Sequence, residues 1–149
     1  MLTTIEKVIF LQDVDIFEYT STEDLSYIAA ITTEMEIKKN DIVYNEGDIS
    51  DAMYMIIDGA VSLRRKGAEV MEGKVKDVFG TWALFDDEPR VVTARAVEDC
   101  RLLRILKEDF VELLGDHVGI TQGVLKKMVK RLRSLVGTVG KETDSRSSP

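Results

Sequence analysis

The apolar residues change their spacing twice along this chain, and this limits the folds that it can adopt. Residues 3–10 have helical spacing, and Ser21 starts a second helical segment with acidic residues in its first turn. From residue 34 to 105, apolar residues instead alternate along short segments that glycine-containing turns separate. Helical spacing then returns over residues 107–114 and 120–136. Short strands at regular intervals predict a β-sandwich or barrel between helical segments.

The composition is typical of a single domain. A chain of 149 residues that is 44% hydrophobic can bury one core. No apolar run approaches the ~20 residues of a membrane span, and nothing before residue 10 resembles a signal peptide. Cys100 is the single cysteine, which excludes an intrachain disulfide and a cysteine-based zinc cluster. We expect a cytoplasmic protein with one domain over residues 1–136 and a flexible polar tail over residues 137–149.

The charges are distributed unevenly along the chain. The net charge is −7, and residues 1–60 contain 3 basic and 13 acidic residues. An acidic first half argues against nucleic acid as a partner. The basic residues of the last predicted helix lie in its C-terminal half, where they interact favourably with the helix dipole. No nucleic-acid contact is needed to explain them.

Residues 79–93 have the features of an anion-binding turn. A glycine bend at Gly80 precedes one turn of apolar helix, and Arg90 follows an acidic loop. A helix that begins at a glycine presents unbonded N–H groups and the positive end of its dipole. An arginine adds a charged, bidentate donor. No arrangement of catalytic or metal-ligating residues appears elsewhere, so we expect no enzyme, no metal and no required cofactor.

Two blocks of sequence resemble the cyclic nucleotide-binding domain family, and the resemblance extends over about residues 5–136. In the first block, residues 39–61, Gly47 and Gly59 make the turns of the family's two-strand entry. The second block, residues 79–93, resembles the family's phosphate-binding cassette. The resemblance implies a mainly β fold, an antiparallel jelly-roll-like β-roll with an N-terminal helical segment and two C-terminal helices. It also implies a regulatory function in signalling.

The resemblance assigns roles to residues of the cassette. Arg90 is similar to the arginine that binds the exocyclic phosphate oxygens. Thr81 occupies the position of a glutamate that usually accepts the ribose 2′-hydroxyl. Backbone N–H groups around the phosphate are assigned to Gly80, Ala83, Val91 and Val92, and the pocket wall to Phe79, Trp82, Leu84 and Thr93. The implied ligand is cAMP, with cGMP less expected because Val91 has no hydroxyl group.

Three of these residues have an alternative, structural interpretation. Arg90 pairs with the acidic residues 86–88 in this alternative. Thr81 becomes the N-cap of a short helix over residues 82–85, because threonine after glycine is a good cap. Trp82 packs in the core or on the pocket wall instead of stacking on a purine.

The last predicted helix leaves two functions open. Apolar residues at a spacing of three to four form a stripe along it: Val118, Thr121, Leu125, Met128, Leu132, Leu135 and Val139. Two alternatives are open for this stripe: it pairs with a second chain, or it docks on the chain's own β-roll. In the first function, the domain senses cAMP or another small anion through Arg90 and repositions this helix. In the second, it binds no nucleotide and serves as a docking or dimerisation module, as a homodimer or within a larger parent protein.

Overall fold

Two four-stranded antiparallel sheets lie between helical segments in the computed structural model, which describes the backbone of residues 1–147 and the side chains of residues 1–138. The helices are α1 (Thr4–Gln12), α2 (Thr22–Ala30), α3 (Lys107–Asp116) and α4 (Val118–Ser147), with 3-10 turns at Asp15–Phe17 and Thr81–Leu84. The strands are β1 (Thr32–Ile37), β2 (Ile42–Tyr44), β3 (Ala52–Asp58), β4 (Val61–Arg65), β5 (Ala68–Gly73), β6 (Val78–Phe79), β7 (Thr93–Ala96) and β8 (Cys100–Leu106). The sheets have the orders β1–β8–β3–β6 and β2–β7–β4–β5. The predicted β-roll with flanking helices is confirmed.

Both N-terminal helices begin at residues with capping side chains. The Thr3 hydroxyl accepts a hydrogen bond from the Glu6 N–H group, and the Glu6 carboxylate accepts one from the Thr3 N–H group. The Ser21 hydroxyl accepts from the Asp24 N–H group at 3.1 Å. These caps satisfy N–H groups that the first helical turn leaves unbonded. The helix start predicted at Ser21 is therefore confirmed.

Strand β3 is buried on both faces, which explains its continuous apolar sequence. Met53 and Met55 pack against the helices in a cluster with Phe17 and Phe110. Tyr54, from the opposite face of the strand, packs between the two sheets. A strand between two packed layers has no polar face, so strict alternation of polar and apolar residues is not expected there.

The C-terminal helices differ from the prediction in their bounds. The expected break over residues 115–119 is reduced to His117, and α4 continues past the predicted end at residue 136 to Ser147. Glycine in a helix costs about 1 kcal/mol relative to alanine but does not end the helix. Gly123 has a packing role, since a Cβ atom there would lie 2.9 Å from the Tyr19 carbonyl oxygen. The domain boundary at residue 136 stays a prediction, and residues 148–149 lie outside the described chain.

Helix α4 docks through a face that includes only part of the predicted stripe, since Met128 packs against the core cluster while Leu125, Leu132 and Leu135 are exposed. Ile120, Val124 and Lys127 are buried, and the Lys127 amine pairs with Asp15 at 2.8 Å and Glu18 at 2.5 Å. The helix thus packs on the 3-10 turn at Asp15–Phe17 and on α3. Docking of the stripe on the chain's own core holds for Met128 and not for its exposed leucines. The ion pairs explain why the basic residues of α4 lie beside an acidic N-terminal segment.

Candidate functional site

A cavity of about 300 Å³ lies beside the 3-10 turn Thr81–Leu84 and the loop that precedes β7. The second sheet contributes apolar walls through Tyr44, Leu63 and Met71. The charged side chains that line the cavity are Arg90, Asp86 and Glu88. Its volume is at the lower end of the range for small-molecule sites, and mainly apolar walls with few polar groups are typical of such sites.

Gly80 gives the cassette its bend. Its φ angle is 74°, in the left-handed region, and a Cβ atom there would lie 2.7 Å from Nη1 of Arg90. The 3-10 turn therefore has Gly80 at its cap, and Thr81 is already its first residue. The alternative role of Thr81 as a side-chain N-cap is wrong, because the cap position takes a left-handed backbone that suits glycine.

The N–H groups expected around a phosphate are only partly available. The Ala83 N–H group donates to the Gly80 carbonyl oxygen at 3.1 Å, so it is used within the turn itself. Val91 and Val92 line the cavity in the loop, because β7 begins only at Thr93. The cradle of N–H groups assigned by sequence is therefore not fully formed in this structure.

Arg90 is enclosed, with only 4% of its side chain exposed. Its Nη2 atom donates to the Ala52 carbonyl oxygen at 2.7 Å, and Nη1 lies 3.5 Å from the Gly80 carbonyl oxygen. The guanidinium carbon lies 3.9 Å from the centre of the Tyr44 ring, in a cation–π contact. The Nε atom is buried and has no hydrogen-bond partner in the described structure. A buried cation with an unsatisfied donor thus borders the cavity.

The backbone of Arg90 is fixed by the loop before β3. The Arg90 N–H group donates to the Asp48 carbonyl oxygen at 2.9 Å, and the Gly47 N–H group donates to the Arg90 carbonyl oxygen at 2.8 Å. Gly47 has a φ angle of 83°, which fits the turn predicted there. The two blocks recognised in the sequence therefore meet at this arginine.

The acidic loop before Arg90 does not pair with it. Nη2 of Arg90 instead lies 3.6 Å from Oδ1 of Asp51, whose side chain is 69% exposed. Asp87 pairs with Lys107, and this hydrogen bond lowers the pKa of the Asp87 carboxyl group. The Lys107 amine also donates to the Asp86 carbonyl oxygen at 2.5 Å. The alternative pairing of Arg90 with residues 86–88 is therefore wrong.

Because Asp51 is exposed, it competes only weakly with an anion for the Arg90 guanidinium. We expect Asp51→Asn to raise the affinity for an anionic ligand about fivefold, since one charge at 4 Å in water contributes about 1 kcal/mol. Calorimetric titration of cAMP at low and high salt measures this change. Asp58→Asn, at the far end of β3, is the control, and equal changes in both variants would contradict a local role for Asp51.

Burial keeps Tyr44 uncharged. It raises the pKa of the Tyr44 hydroxyl to about 12, although the nearby Arg90 guanidinium acts in the opposite direction. The Tyr54 and Phe79 rings stack with centres 5.3 Å apart, and Tyr44 lies tilted against both. This aromatic cluster contacts the Arg90 guanidinium through the Tyr44 ring.

The structure brings most of the residues predicted for the site to the cavity but not all of them. Leu84 is 2% exposed and belongs to the core beneath the cassette. The Thr93 hydroxyl accepts a hydrogen bond from the Glu46 N–H group at 3.0 Å, and Thr93 is not among the lining residues. Trp82, predicted in the core or on the pocket wall, lies on the wall, with 70% of its surface exposed. The predicted residues that do line the cavity are Phe79, Gly80, Thr81, Trp82, Ala83, Arg90, Val91 and Val92.

A second cavity, of about 520 Å³, separates the cassette from α4. Trp82 and Phe85 face Leu125 and Met128 across it. Its lining shares three residues with the first cavity: Val78, Thr81 and Trp82. The cassette thus forms a thin wall between the first cavity and the last helix.

The part of the chain that the structure describes has neither a metal-binding cluster nor a membrane-spanning helix. Among its side chains, no three histidine, cysteine, aspartate or glutamate residues converge to hold a metal ion. Among its helices, none combines the length and the hydrophobicity that crossing a membrane requires.

Comparison with curated proteins finds regulators with similar segments. The CRP-like cAMP-activated global transcriptional regulator of Mycobacterium tuberculosis is 27% identical over 116 residues, which cover 72% of this chain and 52% of the relative. The cAMP-dependent protein kinase regulatory subunit of Debaryomyces hansenii is 33% identical over 113 residues, which cover 74% of this chain and 25% of the relative. The chain therefore matches about half of the first relative's length and a quarter of the second's.

A solved structure and a family model agree with these relatives. The N-terminal domain of a transcriptional regulator from Streptomyces coelicolor A3(2) superposes with a TM-score of 0.78 at 25% identity, covering 85% of this chain and 94% of that one. The family model described as "Cyclic nucleotide-binding domain" matches residues 34–117, which is more than half of the chain. This chain belongs to the cyclic nucleotide-binding domain family.

Proposed function

We propose that this chain is a non-enzymatic regulatory domain that binds cAMP in the cavity bordered by Arg90. The observation that carries the proposal is the enclosed guanidinium with an unsatisfied Nε atom beside a cavity of mainly apolar walls. The names of the bacterial and fungal relatives, which both refer to cAMP, support this ligand. The cytoplasmic location expected from the sequence is part of the same proposal.

In this proposal the phosphate of cAMP replaces weak partners of Arg90. The Gly80 contact is long, at 3.5 Å, and the Asp51 pair is exposed to solvent. A charge-assisted hydrogen bond contributes about 1.5–3 kcal/mol, more than a neutral one. The 2.7 Å bond to the Ala52 carbonyl oxygen can remain, since guanidinium has five donors. The purine then contacts the apolar walls.

Ligand binding would be transmitted to α4 through the cassette. Thr81 and Trp82 line both cavities, so a ligand that moves them alters the surface facing Leu125 and Met128. A ligand shifts such an equilibrium only by its differential affinity for the two positions of the helix. The repositioned helix is the output of the sensor in this proposal.

Calorimetric titration of cAMP into the purified chain tests the binding function. We expect saturable binding with one site and an affinity in the micromolar range, and weaker binding of cGMP. The proposal would be contradicted if millimolar cAMP produced no heat of binding with a chain that circular dichroism shows to be folded.

A second candidate function, self-association through α4, is favoured by the exposure of the apolar stripe. Leu125, Leu132 and Leu135 are 58–64% exposed, while α4 docks mainly through Ile120, Val124 and Lys127. Apolar residues at heptad-like spacing are suited to pair with a second helix. This function is compatible with nucleotide binding and also with its loss.

Leu132→Asp is expected to dissociate such a dimer, because a charge in an apolar seam is costly to bury. Sedimentation equilibrium should show a lower average mass for this variant than for the wild type. Ser134→Asp is the matched control, since it adds the same charge to an exposed position outside the stripe. A wild-type chain that remains monomeric at all concentrations would remove self-association.

A further inference from the structure

The cavity that Arg90 borders is also lined by carboxylates. Asp86 and Glu88 both contribute to it, and both residues are exposed. An ionised carboxylate accepts hydrogen bonds and donates none. A ligand whose anionic group binds Arg90 is repelled by these carboxylates unless it also presents a hydrogen-bond donor to them. The cavity therefore suits an anion that carries a hydroxyl or amino group close to its charge.

Of the loop carboxylates, Glu88 is the one best available to a ligand. Oδ1 of Asp86 accepts a hydrogen bond from the Glu88 N–H group at 3.2 Å. Asp87 pairs with Lys107 and does not line the cavity. The Glu88 carboxylate has no hydrogen bond and no ion pair to any of the side chains described, residues 1–138. The oxygen atoms of Glu88 are therefore free to accept a hydrogen bond from a ligand in the cavity that Arg90 borders.

The local chain holds Glu88 near Arg90. Only Pro89 separates them, and all three residues line the cavity. Positions two apart in a chain have Cα atoms at most about 7 Å apart. Proline fixes its own φ angle and restricts the residue before it, so the backbone at Glu88 loses little freedom when a ligand binds. Because Glu88 and Arg90 line the same cavity, one small ligand can present a donor to Glu88 and its anionic group to Arg90.

In a 3′,5′-cyclic nucleotide, the donor closest to the phosphate is the 2′-hydroxyl, on the carbon next to one that carries a phosphate ester. We infer that the Glu88 carboxylate accepts the hydrogen bond of this 2′-hydroxyl. The ribose contact then comes from the loop before Arg90 and not from Thr81, which has no carboxylate. This inference rests on the proposed function and adds to it the residue that selects the sugar.

The test compares cAMP with 2′-deoxy-cAMP, titrated calorimetrically into the whole chain and its variants. We expect the wild type to prefer cAMP by about 10- to 150-fold, the range for one hydrogen bond to a charged group. In Glu88→Ala the preference should fall to about one, and in Glu88→Gln, which keeps a neutral acceptor, to an intermediate value. Asp87→Ala is the matched control and should keep the wild-type preference, because it removes the same charge from the same loop outside the cavity.

The ratio of the affinities for cAMP and 2′-deoxy-cAMP reports on the hydrogen bond to the 2′-hydroxyl and not on the overall charge of the cavity. Removing any acidic residue near Arg90 strengthens binding of both ligands, and this effect cancels in the ratio. Equal affinity of the wild type for both ligands overturns the inference, and so does a preference that persists in Glu88→Ala. In either case the proposed function stands, whereas a folded chain that binds neither ligand overturns both.

Discussion

Arg90→Ala is expected to lower the affinity for cAMP by at least about 100-fold. Arginine binds a phosphate through two parallel hydrogen bonds, and alanine provides neither. Two such bonds of about 1.5 kcal/mol each correspond to about 150-fold in affinity. The arginine is enclosed beside Tyr44, where water screens its charge less than at the surface. Calorimetric titration of both proteins with cAMP measures the difference.

Two further variants show which property of Arg90 matters. Arg90→Lys keeps the charge but loses the planar fork, so its affinity should lie between those of the wild type and Arg90→Ala. Arg101→Ala removes an arginine that pairs with Glu34 and does not line the cavity, and its affinity should match the wild type. Wild-type affinity in Arg90→Ala would contradict the assigned role of this residue.

The same substitution also affects the fold, and the two effects must be measured separately. Without Arg90, the Ala52 carbonyl oxygen loses a 2.7 Å hydrogen bond at a buried position. An unsatisfied buried acceptor costs about 1–3 kcal/mol. Thermal unfolding followed by circular dichroism should therefore show a lower midpoint for Arg90→Ala. Titration well below that midpoint reports on binding alone.

The sequence predicts the site residues that lie within the cassette better than it predicts their partners. The glycine bend and the distance to Arg90 are local features, so residue types and spacing are enough to identify them. The partners of Arg90 are not local. Tyr44 and Ala52 come from strands β2 and β3, and the packing of the two sheets brings them to the loop that carries Arg90. No periodicity along one segment carries that information.

The position of α4 shows the same limit. The sequence predicts the apolar stripe, and the 58% exposure of Leu125 agrees with an unpartnered face. It does not predict that the docked face combines Val124 with Lys127, because a lysine is rarely buried unless it is paired. The pairing acids, Asp15 and Glu18, lie more than 100 residues away. A long-range ion pair of this kind has no sequence signature.

Gly59→Ala is expected to destabilise the fold by about 2–5 kcal/mol. Gly59 lies between β3 and β4, where the chain passes from one sheet to the other, and its φ angle is 92°. A left-handed backbone costs an alanine about 1–2 kcal/mol. A Cβ atom there would also lie 2.5 Å from the Asp99 carbonyl oxygen and 2.7 Å from Sγ of Cys100. Overpacking of this kind costs about 1–3 kcal/mol more, because the blocking atoms include backbone.

Gly67→Ala separates the two contributions. Gly67 has a φ angle of 81°, but a Cβ atom there would have no neighbour within 4 Å. Its cost should therefore be the backbone strain alone, about 1–2 kcal/mol. Denaturant unfolding of both variants measures the free energies of unfolding, and Gly59→Ala should be the less stable by at least about 1 kcal/mol. Equal losses would mean that residues 99–100 move away from the new methyl group at little cost, and that their close approach to Gly59 contributes little to stability.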